Sequence, residues 1–300
     1  MTLLLLSSAF NEFILQKQLA GLSDATISDY RNIIGIFVTH MGGNTEMATL
    51  AYDAVTGFIL DLYKRPISKA TVATYIRNIR IFLRWYHTEY VLLFDPVKIK
   101  VPKTPKKIVH IYSDTELQYI FSSLETSIEW ITARNRAMVA LMFDSGLRQS
   151  EVCTLLLSGV DRKRMILQVT GKGAKDRLVP IGKLALDFLD DYLSICPYTD
   201  SKYVFLDRAG NPVSTNAVKL FVNRLRHKLP FELTSHKLRH NFATNYCLDN
   251  IKETGNSNVY DLSIIMGHES IETTKRYEHF AHEIIAAENR SSHLDKIYGV

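Results

Sequence analysis

The sequence predicts a mainly α-helical protein with one small β-sheet, divided into two domains. Three observations carry that expectation. Apolar residues recur at helical spacing through the first hundred positions, a proline- and lysine-rich break follows, and a short alternating stretch lies between residues 165 and 181. At 300 residues and 46% hydrophobic, the chain has the length and apolar content for two cores.

The first domain, residues 1–97, reads as helices. Ile27, Tyr30, Ile34, Phe37 and Met41 step by three and four along one face, and Gly42-Gly43 ends that helix. A second stripe runs through Val72, Ile76, Ile79, Leu83, Tyr86 and Tyr90. At 100° per residue, Arg77, Arg80 and Arg84 fall together on another face of the same helix. Two readings stand for that row: a solvated surface, or arginines laid along the phosphates of DNA.

Pro96, Pro102 and Pro105 then break helix, and Lys98, Lys100, Lys103, Lys106 and Lys107 appear with no acid among them. Residues 98–110 are expected to be an extended basic linker, a composition that favours phosphate contact. Ser113-Asp114-Thr115-Glu116 is a capping box, so the second domain, residues 111–300, opens with a helix. Residues 131–157 look helical with an interruption at Gly146. Met165, Leu167 and Val169, then Gly171-Lys172-Gly173, then Leu178, Val179 and Ile181 read as a hairpin. From about 183 the pattern is again helical, and residues 252–258 look like a polar loop insertion.

Composition excludes several classes. Cys153, Cys196 and Cys247 form no CxxC pair, so neither a disulfide framework nor a thiolate zinc site is indicated. No apolar run approaches the ~20 residues of a membrane span. The apolar opening, residues 1–6, is short and lacks a basic flank, so a soluble cytoplasmic protein is expected. The net charge of +5 suits a polyanionic partner without requiring one.

Four segments of the second domain concentrate groups suited to phosphoryl transfer. In Ser145-Gly146-Leu147-Arg148-Gln149-Ser150-Glu151, Arg148 sits at a helix start with Glu151 one turn on to brace it. A guanidinium matches two phosphate oxygens at once. Gly171-Lys172-Gly173-Ala174-Lys175-Asp176-Arg177 lacks the GxxxxGK[ST] pattern and precedes a strand, so it is no ATP loop. Its glycines permit close backbone approach to DNA, with Lys172 beside a leaving oxygen and Lys175 as a weaker competitor. In Ser235-His236-Lys237-Leu238-Arg239-His240, His236 and Arg239 share a helix face. The His236/His240 spacing raises zinc, but Lys237 stands where a metalloprotease has its glutamate, and two cations flank the pair, so no metal is expected. Met266-Gly267-His268-Glu269-Ser270 leads on to Tyr277.

Together, SGLRQSEV, GKGAKDRLVPIG, SHKLRHNFAT and MGHESIETTKRY resemble, in order, spacing and content, the catalytic domain of the tyrosine recombinases of phage-integrase and Xer type. The resemblance covers about residues 110–285, and the first domain resembles the family's helical core-binding (SAM-like) domain more loosely. It implies a mainly α fold with an α+β catalytic domain. It also implies that Arg148, Lys172, His236, Arg239 and His268 surround the nucleophile Tyr277, with Glu151 in support. The implied reaction cuts and rejoins double-stranded DNA at a recombination site, through a 3′-phosphotyrosyl link that conserves the diester energy without ATP or other cofactor. Four protomers on paired sites are expected, with a partner recombinase or accessory factor as a further requirement in some systems. The Ala281–Ile297 tail reads as a terminal helix that docks on a neighbour or folds back on its own domain. A type IB topoisomerase and a DNA-binding accessory protein that does not cleave are the alternatives.

Overall fold

The computed structural model describes residues 4–103, 110–171, 175–288 and 293–298. The chain forms two compact units, residues 1–107 and 108–300.

The first unit is built from helices α1 (Leu6–Leu19), α2 (Asp24–Met41), α3 (Tyr52–Lys64) and α4 (Lys69–Glu89). Ser23 caps α2 by accepting from the Thr26 amide, and Gly42, with a φ of 81°, ends it as expected. Ile27, Ile34 and Phe37 are buried along the predicted stripe. Val72, Ile76, Ile79, Leu83 and Tyr86 are likewise the inward face of α4, while Tyr90 lies just past its end and is exposed. Phe13 meets Tyr30, Phe82 and Trp85 edge-on, with ring centroids 5.3–5.5 Å apart, the preferred geometry for packed aromatics.

Arg77 and Arg84 are exposed on the outer side of α4, whereas Arg80 is half-buried and donates to the Ile99 carbonyl at 3.3 Å. The expected linker therefore begins anchored. Pro96–Lys98 form a 3₁₀ turn capped by Asp95, and Ile99 is buried in the first unit's core. Lys98, Lys100 and Lys103 are exposed; Lys106 and Lys107 lie outside the described residues.

The second unit opens with α5 (Asp114–Ser122), and its reciprocal Ser113–Glu116 capping box is present. Next come α6 (Glu129–Asp144), α7 (Gln149–Thr154), β1 (Val160–Asp161), β2 (Ile166–Thr170) and β3 (Asp176–Pro180). The strands form an antiparallel sheet in the order β1-β2-β3, with Val169 opposite Arg177 and Leu167 opposite Val179. Two residues are too few to show a period, so β1 has no signature in the sequence. α8 (Lys183–Ile195), α9 (Thr215–Arg226), α10 (Ser235–Thr254), α11 (Val259–Met266), α12 (Glu272–Glu288) and α13 (His293–Tyr298) complete the unit. Leu141, Leu147, Leu167, Val179, Leu189, Phe205 and Leu238 form its main core. A second apolar cluster, including Phe242, Leu262, Met266, Tyr277 and Ala281, joins α10, α11 and α12. Among the described residues no helix is long and apolar enough to cross a membrane.

The expected Ala281–Ile297 tail is divided: residues 281–288 continue the helix that carries Tyr277, with Ile284 and Ile285 packed on their own domain, one of the two arrangements its pattern allowed, and His293–Tyr298 form α13. The expected polar loop is shorter than residues 252–258. Lys252–Thr254 finish α10, Gly255 turns the chain in the left-handed region, and buried Ser257 donates to Glu278 at 2.5 Å. That segment thus seats the residue next to Tyr277.

Candidate active site

The site is assembled by two left-handed glycine turns and the start of α10, which aim carbonyls and side chains at one another. α6 ends at Asp144, and Gly146 turns the chain with a φ of +60°. A Cβ there would collide with the Phe242 ring, so both conformation and space demand glycine. The turn leaves Arg148 as the residue before α7, where its amide donates to Glu151 Oε2 at 2.7 Å and its guanidinium to Glu151 Oε1 at 2.8 Å. Gly267 makes a similar left-handed turn after α11, and its carbonyl accepts from Arg148 at 2.9 Å. The first turns of α10 supply His236, Arg239 and His240. Arg239, 4% exposed, donates to the carbonyls of Gly146 and Met266.

Glu151 is buried at the centre and receives more than the predicted brace. Arg177 on β3 places two parallel N–H donors on its oxygens, at 2.7 and 2.9 Å, and donates its Nε to the Ile265 carbonyl at 2.6 Å. Burial raises the Glu151 pKa, but Arg177 and then Arg148 outweigh it and hold the carboxyl down at about 2. Three guanidiniums therefore share one carboxylate, with Arg239 only 3.9 Å from it, and the pocket keeps an excess of positive charge. Burial and then Arg148 lower the Arg239 pKa, so an anion entering the pocket relieves a real electrostatic cost.

Tyr277 lies on α12, 1% exposed. Arg276 donates to its hydroxyl at 2.8 Å, and His240 Nδ1 is 2.6 Å from the same oxygen. Burial raises the phenol pKa, partly opposed by Arg276. His268 Nδ1 pairs with Thr274 Oγ1 at 2.7 Å, and its ring lies nearly parallel to that of Tyr277, with centroids 6.3 Å apart. Burial, followed by Arg239 and Arg148, drives His268 down to about 4. Burial, followed by His236 and Arg276, drives His240 to about 3. His236 is lowered mainly by burial.

A cavity of about 530 Å³ is lined by Arg148, His236, Arg239, His268, Arg276 and Tyr277. A neighbouring cavity of about 660 Å³ shares Arg148 and His268 with it and is bordered by Lys175 and Arg177. The fold thus gathers Arg148, His236, Arg239, His268 and Tyr277 around one space with Glu151 beneath. Lys172 lies outside the described residues. Among the described residues no group of three or more His, Cys, Asp or Glu gathers as metal ligands would.

Sequence reading misses Arg177, His240 as a partner of Tyr277, and Arg276. Arg177 has a legible signal: alternation puts it on the face of Val179 and Ile181, the inward side of β3. His240 stands four residues after His236, hence on the same helix face, but that spacing points first to a zinc ligand.

The family model described as "Phage integrase family" matches residues 112–283. The tyrosine recombinase XerC of Oceanobacillus iheyensis is 27% identical over 283 residues, covering 90% of each chain. The tyrosine recombinase XerD of the same organism is 29% identical over 275 residues, covering 86% of this chain and 89% of its own. Among solved structures, the Tn1549 transposon integrase in complex with circular intermediate DNA aligns with a TM-score of 0.73 at 17% identity, covering 91% of this chain and 95% of its own. A lambda integrase dimer bound to a COC′ core site gives the same TM-score, identity and coverage.

Proposed function

Because this chain belongs to the phage integrase family and is a site-specific tyrosine recombinase, we propose that Tyr277 is its nucleophile and that the Arg148, His236, Arg239, His268 and Lys172 side chains serve the transfer. The observation that carries the reading is the single cavity in which the Tyr277 hydroxyl and an excess of guanidinium charge meet. A scissile phosphate would sit between Arg148 and Arg239, which would offset the charge of its pentavalent transition state. Arg148 is presented there by Glu151, which holds both its amide and its guanidinium.

Tyr277 would attack phosphorus and displace the 5′ oxygen, leaving a 3′-phosphotyrosyl link. Lys172 would protonate the departing oxygen, and His236 and His268 would donate hydrogen bonds to the phosphoryl oxygens or help to accept the phenol proton. The link retains the energy of the diester, so a hydroxyl of a partner strand reverses the step without ATP, metal or other cofactor. The substrate is a double-stranded DNA recombination site, gripped by the first unit through Arg77, Arg80 and Arg84 and by the lysines of residues 98–107. Strand exchange between two duplexes, each cut twice, calls for four protomers on paired sites in the cytoplasm, with a partner recombinase or accessory factor setting the outcome. The likeness to the Tn1549 transposon integrase, solved with circular intermediate DNA, supports service to a mobile element. With the family established, the topoisomerase and non-cleaving alternatives are not favoured.

The test is a nicked suicide substrate resolved on a denaturing gel. Tyr277→Phe should bind a half-site normally and form no covalent adduct, because only the nucleophilic oxygen is lost. An adduct that persists in the variant removes Tyr277 from this role.

A further inference from the structure

We propose that His240 is a further catalytic residue, the base that takes the phenol proton from Tyr277 as its oxygen attacks phosphorus. The proposal rests on the nucleophile assignment above and names a group outside the six expected from the sequence.

Hydrogen-bond accounting points to this residue. Among the described residues, the Tyr277 oxygen meets two partners, Arg276 at 2.8 Å and His240 Nδ1 at 2.6 Å. A guanidinium has donors and no acceptor, so it occupies a lone pair of the phenol and cannot receive its proton. With Arg276 donating, the phenol's one proton is directed at His240 Nδ1, which requires a neutral imidazole protonated on Nε2. The other histidines are differently engaged. His268 gives its Nδ1 to Thr274 and faces Tyr277 ring to ring, and the His236 ring packs against His240 with centroids 4.0 Å apart.

The surroundings keep His240 ready to accept. Burial favours the neutral ring first, and His236 on α10, Arg276 on α12, Arg239 on α10 and His268 after α11 add to it. In the free protein these cations also make proton uptake unfavourable, so the tyrosine stays protonated. A phosphodiester in the cavity brings a negative charge beside the same arginines. It offsets their repulsion and raises the proton affinity of His240 only when substrate is in place. The transfer balances: the Tyr277 Oη–P bond forms, the P–O5′ bond breaks, the phenol proton moves to His240 Nδ1, and the 5′ oxygen takes a proton from the acid assigned to Lys172. In rejoining, His240 returns its proton to the phenolate.

The experiment measures adduct formation on suicide DNA by the full-length chain as wild type, His240→Ala, His240→Asn and Tyr277→Phe. Asparagine keeps an acceptor near the Nδ1 position but takes up no proton. Both His240 variants should bind a half-site within about twofold of wild type and cleave on the order of 10²-fold more slowly, the scale of general-base catalysis. Added imidazole should restore part of the His240→Ala rate. The defect should persist on DNA with a 5′-bridging sulfur, whose departure needs no acid. Cleavage by His240→Asn within about threefold of wild type would overturn the proposal and leave His240 a merely positioning residue. An adduct with Tyr277→Phe would instead overturn the nucleophile assignment. Should the His240 variants unfold, nitrogen NMR of ¹⁵N-labelled wild type decides, with the ring signal assigned by through-bond correlation to the His240 backbone. The proposal expects an unprotonated Nδ1 whose shift moves in Tyr277→Phe, and a protonated Nδ1 overturns it.

Discussion

Arg177 and Glu151 meet through two parallel hydrogen bonds, 2.7 and 2.9 Å long, beneath the arginine that Glu151 also presents to the cavity. The carboxylate is buried, and Arg177 is nearly so. Removing either partner strands the other's charge in the interior. Glu151→Gln and Arg177→Leu should therefore each cost about 3 kcal/mol of stability, and the double variant clearly less than the sum. Urea unfolding of the four proteins measures the coupling. Losses that add within about 0.5 kcal/mol would show that the pair does not act as a unit.

The buried histidines predict an acid-sensitive fold. His240 and His268 are held at about 3 and about 4, and His236 is also lowered, all beneath the ordinary value of 6.5. Between those values the unfolded chain binds protons that the folded chain refuses. Their contribution is thus complete above about pH 6.5 and is lost as pH falls toward 4 and 3. Glu151, lowered to about 2, adds a separate loss only below about pH 4.5. The melting temperature should decline from pH 6.5 to 4.5, and His268→Asn should flatten that decline while leaving a hydrogen-bonding partner for Thr274. An equal slope in the variant would remove His268 as a source of it.

Arg77 and Arg84 are exposed on α4, while Arg80 is tied to the Ile99 carbonyl. Replacing Arg77 and Arg84 with alanine should lower the slope of log K against log salt by roughly one unit for each lost phosphate contact. Arg80→Ala should also lower the melting temperature, because it frees the turn that leaves the first unit. An unchanged slope in the double variant returns that row to the solvated-face reading.

What the sequence made legible follows from how local each signal was. Arg148 with Glu151, and His236 with Arg239, lie within one helical turn of each other, so spacing alone set them side by side. The Ser113 capping box and the Gly42 stop were legible for the same reason, since each is satisfied within a few residues. Partners from distant segments were not. Arg177 reaches Glu151 across 26 positions, and His240 reaches Tyr277 across 37. Asn241, in the same SHKLRHNFAT segment, is fully buried, accepting from the Tyr112 amide and donating to the His110 carbonyl. It fixes the start of the second unit against α10, a role that no periodicity displays. The tail left two readings open because an amphipathic stripe tells that a face is covered but not by what.

That tail yields the last prediction. Residues 281–288 belong to the Tyr277 helix, and Ala281, Ile284 and Ile285 contribute to the α10–α12 cluster. Ending the chain after His282 would therefore remove core contacts and unseat Tyr277, making any loss of recombination uninformative about assembly. Ending it after Glu288 spares those contacts and removes α13, whose Ile297 and Tyr298 are 61% and 76% exposed. If α13 docks on a neighbouring protomer in the proposed tetramer, this shorter chain should melt within a few degrees of the intact protein and bind a half-site equally well. It should fill a full site with reduced cooperativity, and recombination should fall at least tenfold while suicide cleavage of a half-site changes little. Band-shift titrations on half and full sites, run beside a recombination assay, separate these quantities. Recombination at the full-length rate would show that assembly does not depend on α13. A matching loss of half-site cleavage would place its role within its own protomer.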